Sequence, residues 1–255
     1  MNPSGGAVLG RLAGRRYLLR CRGVNVPGYT AMLYVGCVAG VLAGAAAAGA
    51  AGLEESRVAL ATIALLVPAL AGARLWFVVE HWGDFRREPR RLWRRSEGGS
   101  ALHGGLALSL AVSVPFLALV HLPFWRYWDA ASLTMLIGLA CTRVGCLMNG
   151  CCGGRRSSSW VAVRLPDEQG DWHNRIPTQL LEAGWAVLVL TGAILARPGA
   201  PFAGAVFLGV VAAYGAGRLV LERTRAAAGS RASRANLAFV AALTFAAALV
   251  LVLRP

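Results

Sequence analysis

Seven stretches of this 255-residue chain are apolar and close to the roughly 20 residues a helix needs to cross a bilayer's hydrocarbon layer: Tyr29–Leu53, Arg57–Val79, Leu102–Val120, Ala130–Met148, Leu180–Ala196, Phe202–Leu221 and Asn236–Leu253. Backbone exposed to lipid must satisfy its own hydrogen bonds, and no stretch alternates as barrel strands would, so the spans are expected to be helices. Hydrophobic residues make up 56% of the chain and charged residues 15%, which excludes an ordinary soluble domain. Runs rich in Ala and Gly, such as Val38–Gly52 and Gly209–Gly217, allow close helix packing. The expected fold is an all-α, polytopic integral membrane protein of about seven transmembrane helices with a small extramembrane loop region. A Gly- and Arg-rich tail over residues 1–27 is expected to precede a seven-helix domain over 28–255.

All 26 basic residues are arginine, and the net charge of +14 favours anionic lipid headgroups over nucleic acid, for which no binding module is recognisable. Met1 to Pro27 has no apolar core and reads as a flexible or interfacial tail, not a cleavable signal peptide. The first span opens at Pro27-Gly28-Tyr29, which sets Tyr29 at the membrane interface.

The residues that carry chemistry cluster where apolar runs end. Cys141 to Arg156 reads CTRVGCLMNGCCGGRR, and Arg143 stands at the depth where membrane gives way to polar surface. Its planar fork suits a phosphate or carboxylate. Arg74 lies deep in the second span and should face the bundle interior. His103 opens the third span beside Gly104 and Gly105; histidine exchanges a proton near neutral pH, and the glycines leave room beside it. Gln179 and Glu182 are three apart and share a helix face, while Arg218 and Glu222 are one turn apart and can pair. Trp160-Val-Ala-Val-Arg-Leu165 alternates as a short strand would, inside a polar loop from Ser157 to Ile176. By alternation of sides, the junctions before spans one, three, five and seven share one face of the bundle. The cysteine spacing C-x4-C-C over Cys146, Cys151 and Cys152 is not a recognised zinc pattern and has no histidine nearby, so no metal is expected.

Six short motifs, in order, resemble the prolipoprotein diacylglyceryl transferase family of bacterial inner membranes: Tyr29-Thr-Ala-Met-Leu-Tyr34, Gly72-Ala-Arg74, Gly98-Gly-Ser-Ala-Leu-His103-Gly-Gly, Arg143-Val-Gly-Cys-Leu-Met-Asn149-Gly, Pro177-Thr-Gln179-Leu-Leu-Glu182 and Gly217-Arg218-Leu-Val-Leu-Glu222. The resemblance implies an enzyme of the bacterial cytoplasmic membrane. Such an enzyme moves the diacylglyceryl group of phosphatidylglycerol to the lipobox cysteine thiol of a prolipoprotein signal peptide and releases glycerol phosphate. It implies His103 as base, Arg143 and Arg218 as stabilisers of the departing phosphate and Glu222 as the group that orients Arg218. Tyr29, Arg74, Gly104, Asn149, Gly154, Gln179 and Glu182 would bind substrate, and no cofactor is called for.

Two features depart from the family pattern. Cys146 and Cys151 stand where the family usually carries asparagine and an acidic residue, which leaves open a non-catalytic paralogue that binds anionic phospholipid, a transferase with another acceptor, or an enzyme using Cys151 or Cys152 covalently. Arginines also crowd the face that the family places outside, whereas the positive-inside rule would turn it to the cytoplasm. Anionic lipid substrates give arginine another reason to gather there.

Overall fold

The computed structural model describes residues 13–21, 24–87, 102–167, 169–226 and 231–253. Eight helices run through them: α1 (Gly28–Ala50), α2 (Glu55–Glu80), α3 (Trp82–Arg87), α4 (Leu102–Leu119), α5 (Phe124–Asn149), α6 (Thr178–Ala196), α7 (Ala205–Leu221) and α8 (Arg231–Leu253). Two antiparallel pairs accompany them, β1 (Tyr17–Cys21) with β2 (Val24–Pro27) and β3 (Val163–Pro166) with β4 (Trp172–Arg175). All seven expected spans are helical. Six of the helices are long and apolar enough to cross a membrane, and α4 contributes a shorter apolar stretch, Gly104–Leu119. Of the expected tail, residues 1–12 and 22–23 lie outside the described residues, as do residues 88–100 of the arginine-rich segment.

Two expectations are corrected. The segment before Gly28 is not all tail: β1 and β2 pair, the Gly28 N–H donates to the Arg16 carbonyl at 2.8 Å, and Ala13 is buried with Leu147 and Leu165. The fourth span begins at Phe124, well before Ala130, and runs straight through Asp129. A carboxylate there argues for a helix boundary when only its own segment is considered. Its partners are on α7, where it accepts the Gly204 N–H at 2.7 Å and the Phe207 N–H at 2.9 Å. Asp129 thus satisfies donors that α7 leaves unpaired at its first turn, and its charge meets the positive end of the α7 dipole. Gly204, at φ +99°, supplies the left-handed turn that sends the chain into α7 and shortens that span from the expected Phe202.

The chain divides into two compact units, one of residues 1–44 and 129–255 and one of residues 45–128. In the first, Gly36, Gly40 and Gly44 form a stripe on α1 against Cys141, Gly138 and Thr134 of α5, and the Thr134 hydroxyl donates to the Gly40 carbonyl at 2.8 Å. A methyl on Gly40 would come within 2.8 Å of the Thr134 carbonyl oxygen, so a side chain there would force the helices apart. Lipid tails are as apolar as leucine, and such close backbone approach is what holds membrane helices together. Leu136, Ala186, Val189, Ala193, Val206 and Val210 bury themselves where α5, α6 and α7 meet.

The second unit packs α2 on α4 through Gly72, Gly104 and Gly105, with the Ser109 hydroxyl donating to the Leu65 carbonyl at 3.2 Å. Thr62 and Tyr127 join their hydroxyls at 3.1 Å, and the Trp128 indole N–H donates to the Ser113 hydroxyl at 3.1 Å. Each such interhelical bond contributes about 0.6 kcal/mol.

The cap on α7 carries a test. Asp129→Ala is expected to lower stability in detergent unfolding by about 0.5–2 kcal/mol, and Asp129→Asn, which keeps an acceptor, by less.

Candidate functional site

Glu182 is the centre of the site. It lies in the first turns of α6, only 2% exposed, and three guanidiniums from other segments converge on it. Arg143 of α5 brings its Nε to 2.5 Å from Oε2, an ion pair whose N–H is not aligned for a hydrogen bond. Arg225, just past the single 3₁₀ turn Glu222–Thr224 that follows α7, donates through Nε at 3.1 Å and through Nη2 at 2.9 and 3.1 Å. Arg218 stands at 3.8 Å and pairs with Glu222, which also accepts from the Ser233 hydroxyl of α8 and lies 3.7 Å from Arg225. Three guanidiniums against two carboxylates leave the cluster with one positive charge to offer. The Tyr214 hydroxyl, one helical turn before Arg218, joins it at Arg143.

The loop leaving α5 adjoins this cluster. Gly150, at φ +74°, ends the helix in the left-handed conformation, and a methyl there would meet the Asp167 carbonyl at 2.7 Å. Cys146, Cys151 and Cys152 then bring three sulfurs within 4.8 Å of one another. The Cys151 N–H donates to the Cys146 carbonyl at 3.1 Å, and Asn149 bonds the Cys151 thiol. Arg143 and Arg225 lie within electrostatic reach of the Cys152 thiol. Cys152 itself has φ +57°, an uncommon setting for a residue with a side chain. Gln179 is buried and donates its amide to the Cys151 carbonyl at 2.8 Å.

Gly154 is where three backbones meet. Its N–H donates to the Ile176 carbonyl at 3.2 Å, it bridges Arg225, and a Cβ would strike the Ile176 carbonyl, the Thr178 hydroxyl and the Thr224 carbonyl. A cavity of about 250 Å³ opens beside this junction, lined by Gly150, Cys152, Gly153, Asp167, Arg175 and Arg225. Its far wall is the β3–β4 turn. There the Asp167 carboxylate accepts the N–H groups of Gln169, Gly170 and Asp171 and pairs with Arg175 at 3.3 Å. Burial opposes its charge, but those backbone donors and Arg175 hold its pKa below the ordinary aspartate value.

Of the residues singled out in the sequence, the structure gathers Arg143, Glu182, Arg218 and Glu222 into one cluster. Gln179, Asn149 and Gly154 stand around the adjoining loop, and Tyr29 lies within electrostatic reach of Arg143 and the three cysteines. The space beside Gly104 is not open for a ligand: α2 fills it, and a Cβ there would collide with the Gly72 carbonyl and Trp76. The space at Gly154 is likewise taken by the chain's own backbone. Arg74 and Gly104 belong to the other compact unit, where the Arg74 guanidinium lies 5.6 Å from the ring centres of both Phe77 and Phe85. His103 is in the first turn of α4, and its side chain lies outside the described residues. Arg225 was missed. Its spacing of three from Glu222 was the available signal, but the residues after Leu221 read as a polar connection.

Apolar helices of span length that end on a buried carboxylate clasped by arginines define a polytopic membrane protein with guanidinium charge gathered at the ends of its spans. Residues 16–254 match the model of one such family, and the chain belongs to the prolipoprotein diacylglyceryl transferases. Among its relatives, a protein of Rhodopirellula baltica is 31% identical over 56% of this chain, one of Trichormus variabilis 27% over 64%, and one of Shouchella clausii 28% over 77%. Each bears the name phosphatidylglycerol–prolipoprotein diacylglyceryl transferase. The matched stretch takes in 30% of the length of the first, 62% of the second and 74% of the third.

The carboxylates yield two predictions. Glu182→Gln strips the buried counter-charge while keeping shape, and is expected to cost about 3–5 kcal/mol in detergent unfolding, part of which a second change, Arg225→Met, restores. The depressed pKa of Asp167 contributes order that is present above the unfolded aspartate value of about 3.9 and is lost as pH falls through the lower folded value. Hydrogen-exchange protection of the Gln169, Gly170 and Asp171 amides should therefore fall in that acid window in the wild type and be weak at every pH in Asp167→Ala.

Proposed function

We propose that the chain transfers the diacylglyceryl group of phosphatidylglycerol to the cysteine thiol of a prolipoprotein lipobox, releasing glycerol phosphate, in the bacterial cytoplasmic membrane. The observation that carries the proposal is the surplus of guanidinium around Glu182. Attack of sulfur on the terminal glyceryl carbon breaks a carbon–oxygen bond, and its electron pair leaves on phosphate. Charge therefore grows on the phosphate oxygens in the transition state, and fixed donors aimed there stabilise it more than they stabilise the bound lipid. Arginine suits the task because its fork addresses two phosphate oxygens at once. Glu182 and Glu222 hold the forks of Arg143, Arg218 and Arg225 in place before the substrate arrives, so little reorganisation is left for the moment of reaction.

A thiol hardly attacks and a thiolate does, so the incoming cysteine needs a base, and His103 is the residue assigned to it. Tyr29, Asn149 and Gln179 are assigned to headgroup and acceptor positioning, and Arg74 to lipid binding. The arginine-rich face is assigned to the outer side of the membrane, where anionic headgroups offset its charge.

Purified protein in phosphatidylglycerol vesicles should transfer a labelled diacylglyceryl group to a lipobox peptide. Arg143→Ala should reduce the rate by about 10²–10³-fold, the loss typical of a charge-stabilising donor. His103→Ala should also remove the limb of the pH–rate profile near the histidine range of about 6.5. Headgroup binding without transfer by the wild-type protein would favour the non-catalytic paralogue.

A further inference from the structure

The three cysteines next to the arginine cluster are used by nothing in the transfer just described. We propose that Cys146, Cys151 and Cys152 bind one zinc ion through three thiolates, with the fourth coordination position open toward the cavity beside Arg225.

Distance is the first argument. Thiolates about 2.3 Å from a tetrahedral zinc lie roughly 3.8 Å from one another. The three sulfurs already lie within 4.8 Å of each other, so small side-chain rotations complete the triangle. The backbone that sets them is held from several directions. Cys146 is buried in the last turns of α5, Gly150 turns the chain back in the left-handed conformation, the Cys151 N–H is tied to the Cys146 carbonyl, and Gln179 holds the Cys151 carbonyl. Outer contacts of this kind orient metal ligands and are part of a working site.

Charge is the second argument. Zinc with three thiolates carries one net negative charge. Arg143 and Arg225 stand within electrostatic reach of Cys152, so the loaded site's single negative charge is offset by the one surplus positive charge of the cluster, which the metal-free state leaves for phosphate. Soft thiolates select zinc or copper(I) over magnesium or calcium. A disulfide accounts for the cluster less well: adjacent Cys151 and Cys152 cannot readily pair in ordinary geometry, and any other pairing leaves one sulfur over.

Access is the third. Cys152 is exposed and lines the cavity of about 250 Å³, which gives the ion an entry path at that corner of the sulfur triangle, while Cys146 is buried and Cys151 half-buried. Three protein ligands plus one exchangeable position is the arrangement of reactive zinc, whereas structural zinc is closed by four.

The test uses full-length protein purified in detergent under reducing conditions. One zinc per chain is expected by elemental analysis after dialysis, and cobalt(II) exchanged into the site should show the near-ultraviolet charge-transfer bands of thiolate–cobalt bonds. Cys152→Ser, at an exposed position that does not threaten the fold, should weaken zinc by more than the ~10–100-fold that loss of an outer partner costs. Cys37→Ser and Cys141→Ser, outside the cluster, should leave binding unchanged. Addition of a small thiol should shift the cobalt spectrum as it enters the fourth position. Zinc below a tenth of the chain concentration, copper(I) in its place, cobalt bands that persist in Cys152→Ser, or a disulfide found by thiol counting would each overturn the assignment. A cobalt spectrum unmoved by added thiol would overturn the open position. Every readout is of metal, so the result is independent of whether the chain transfers lipid.

Discussion

A buried carboxylate is the constraint on which the first compact unit depends. Glu182 sits in the first turns of a membrane helix, where an unpaired charge would be untenable. Its neutralisation requires α5, α6 and the segment after α7 to be in register together, because Arg143, Arg218 and Arg225 come from different places in the chain. The cost of desolvating so many charges means that the cluster is weak as a source of stability and strong as a specifier of arrangement. Its geometry also serves chemistry: arginines tethered to glutamate stay where they are aimed.

Around that cluster, small residues do the work that apolar burial does in soluble proteins. The glycine stripe of α1 lets the Thr134 hydroxyl reach a backbone carbonyl, and Gly154 lets three strands of backbone share one point. Asp129 extends the same logic to a helix end, capping α7 from the side of α5. Each contact is polar, local and short, which suits an environment in which apolar surface gains nothing by leaving lipid.

Much of this was legible in the sequence, for identifiable reasons. The seven spans were visible because the bilayer imposes length and composition together, and Gln179 with Glu182, or Arg218 with Glu222, because helical spacing alone puts them on one face. The fourth span was expected to start only at Ala130 because the partners that let the helix carry Asp129 lie on α7, more than seventy residues on. Gly104 and Gly154 looked like room for a ligand because a sequence shows the missing side chain and not the backbone that fills the gap. Arg225 escaped notice because a 3₁₀ turn continues the helix past the point where the apolar pattern ends. The cysteines matched no ligand spacing, since it is the left-handed turn at Gly150 that brings residues 146, 151 and 152 round to one point.

The convergence at Gly154 also bears on how the protein is made. The segments it joins lie at residues 154, 176 and 224–225, and the carboxylate beside them receives one arginine from upstream and two from downstream. A nascent chain that has inserted only the helices up to α6 holds Glu182 with a single guanidinium partner and has no Arg225 for Gly154 to bridge. The complete cluster is therefore absent from any intermediate that ends before Arg225.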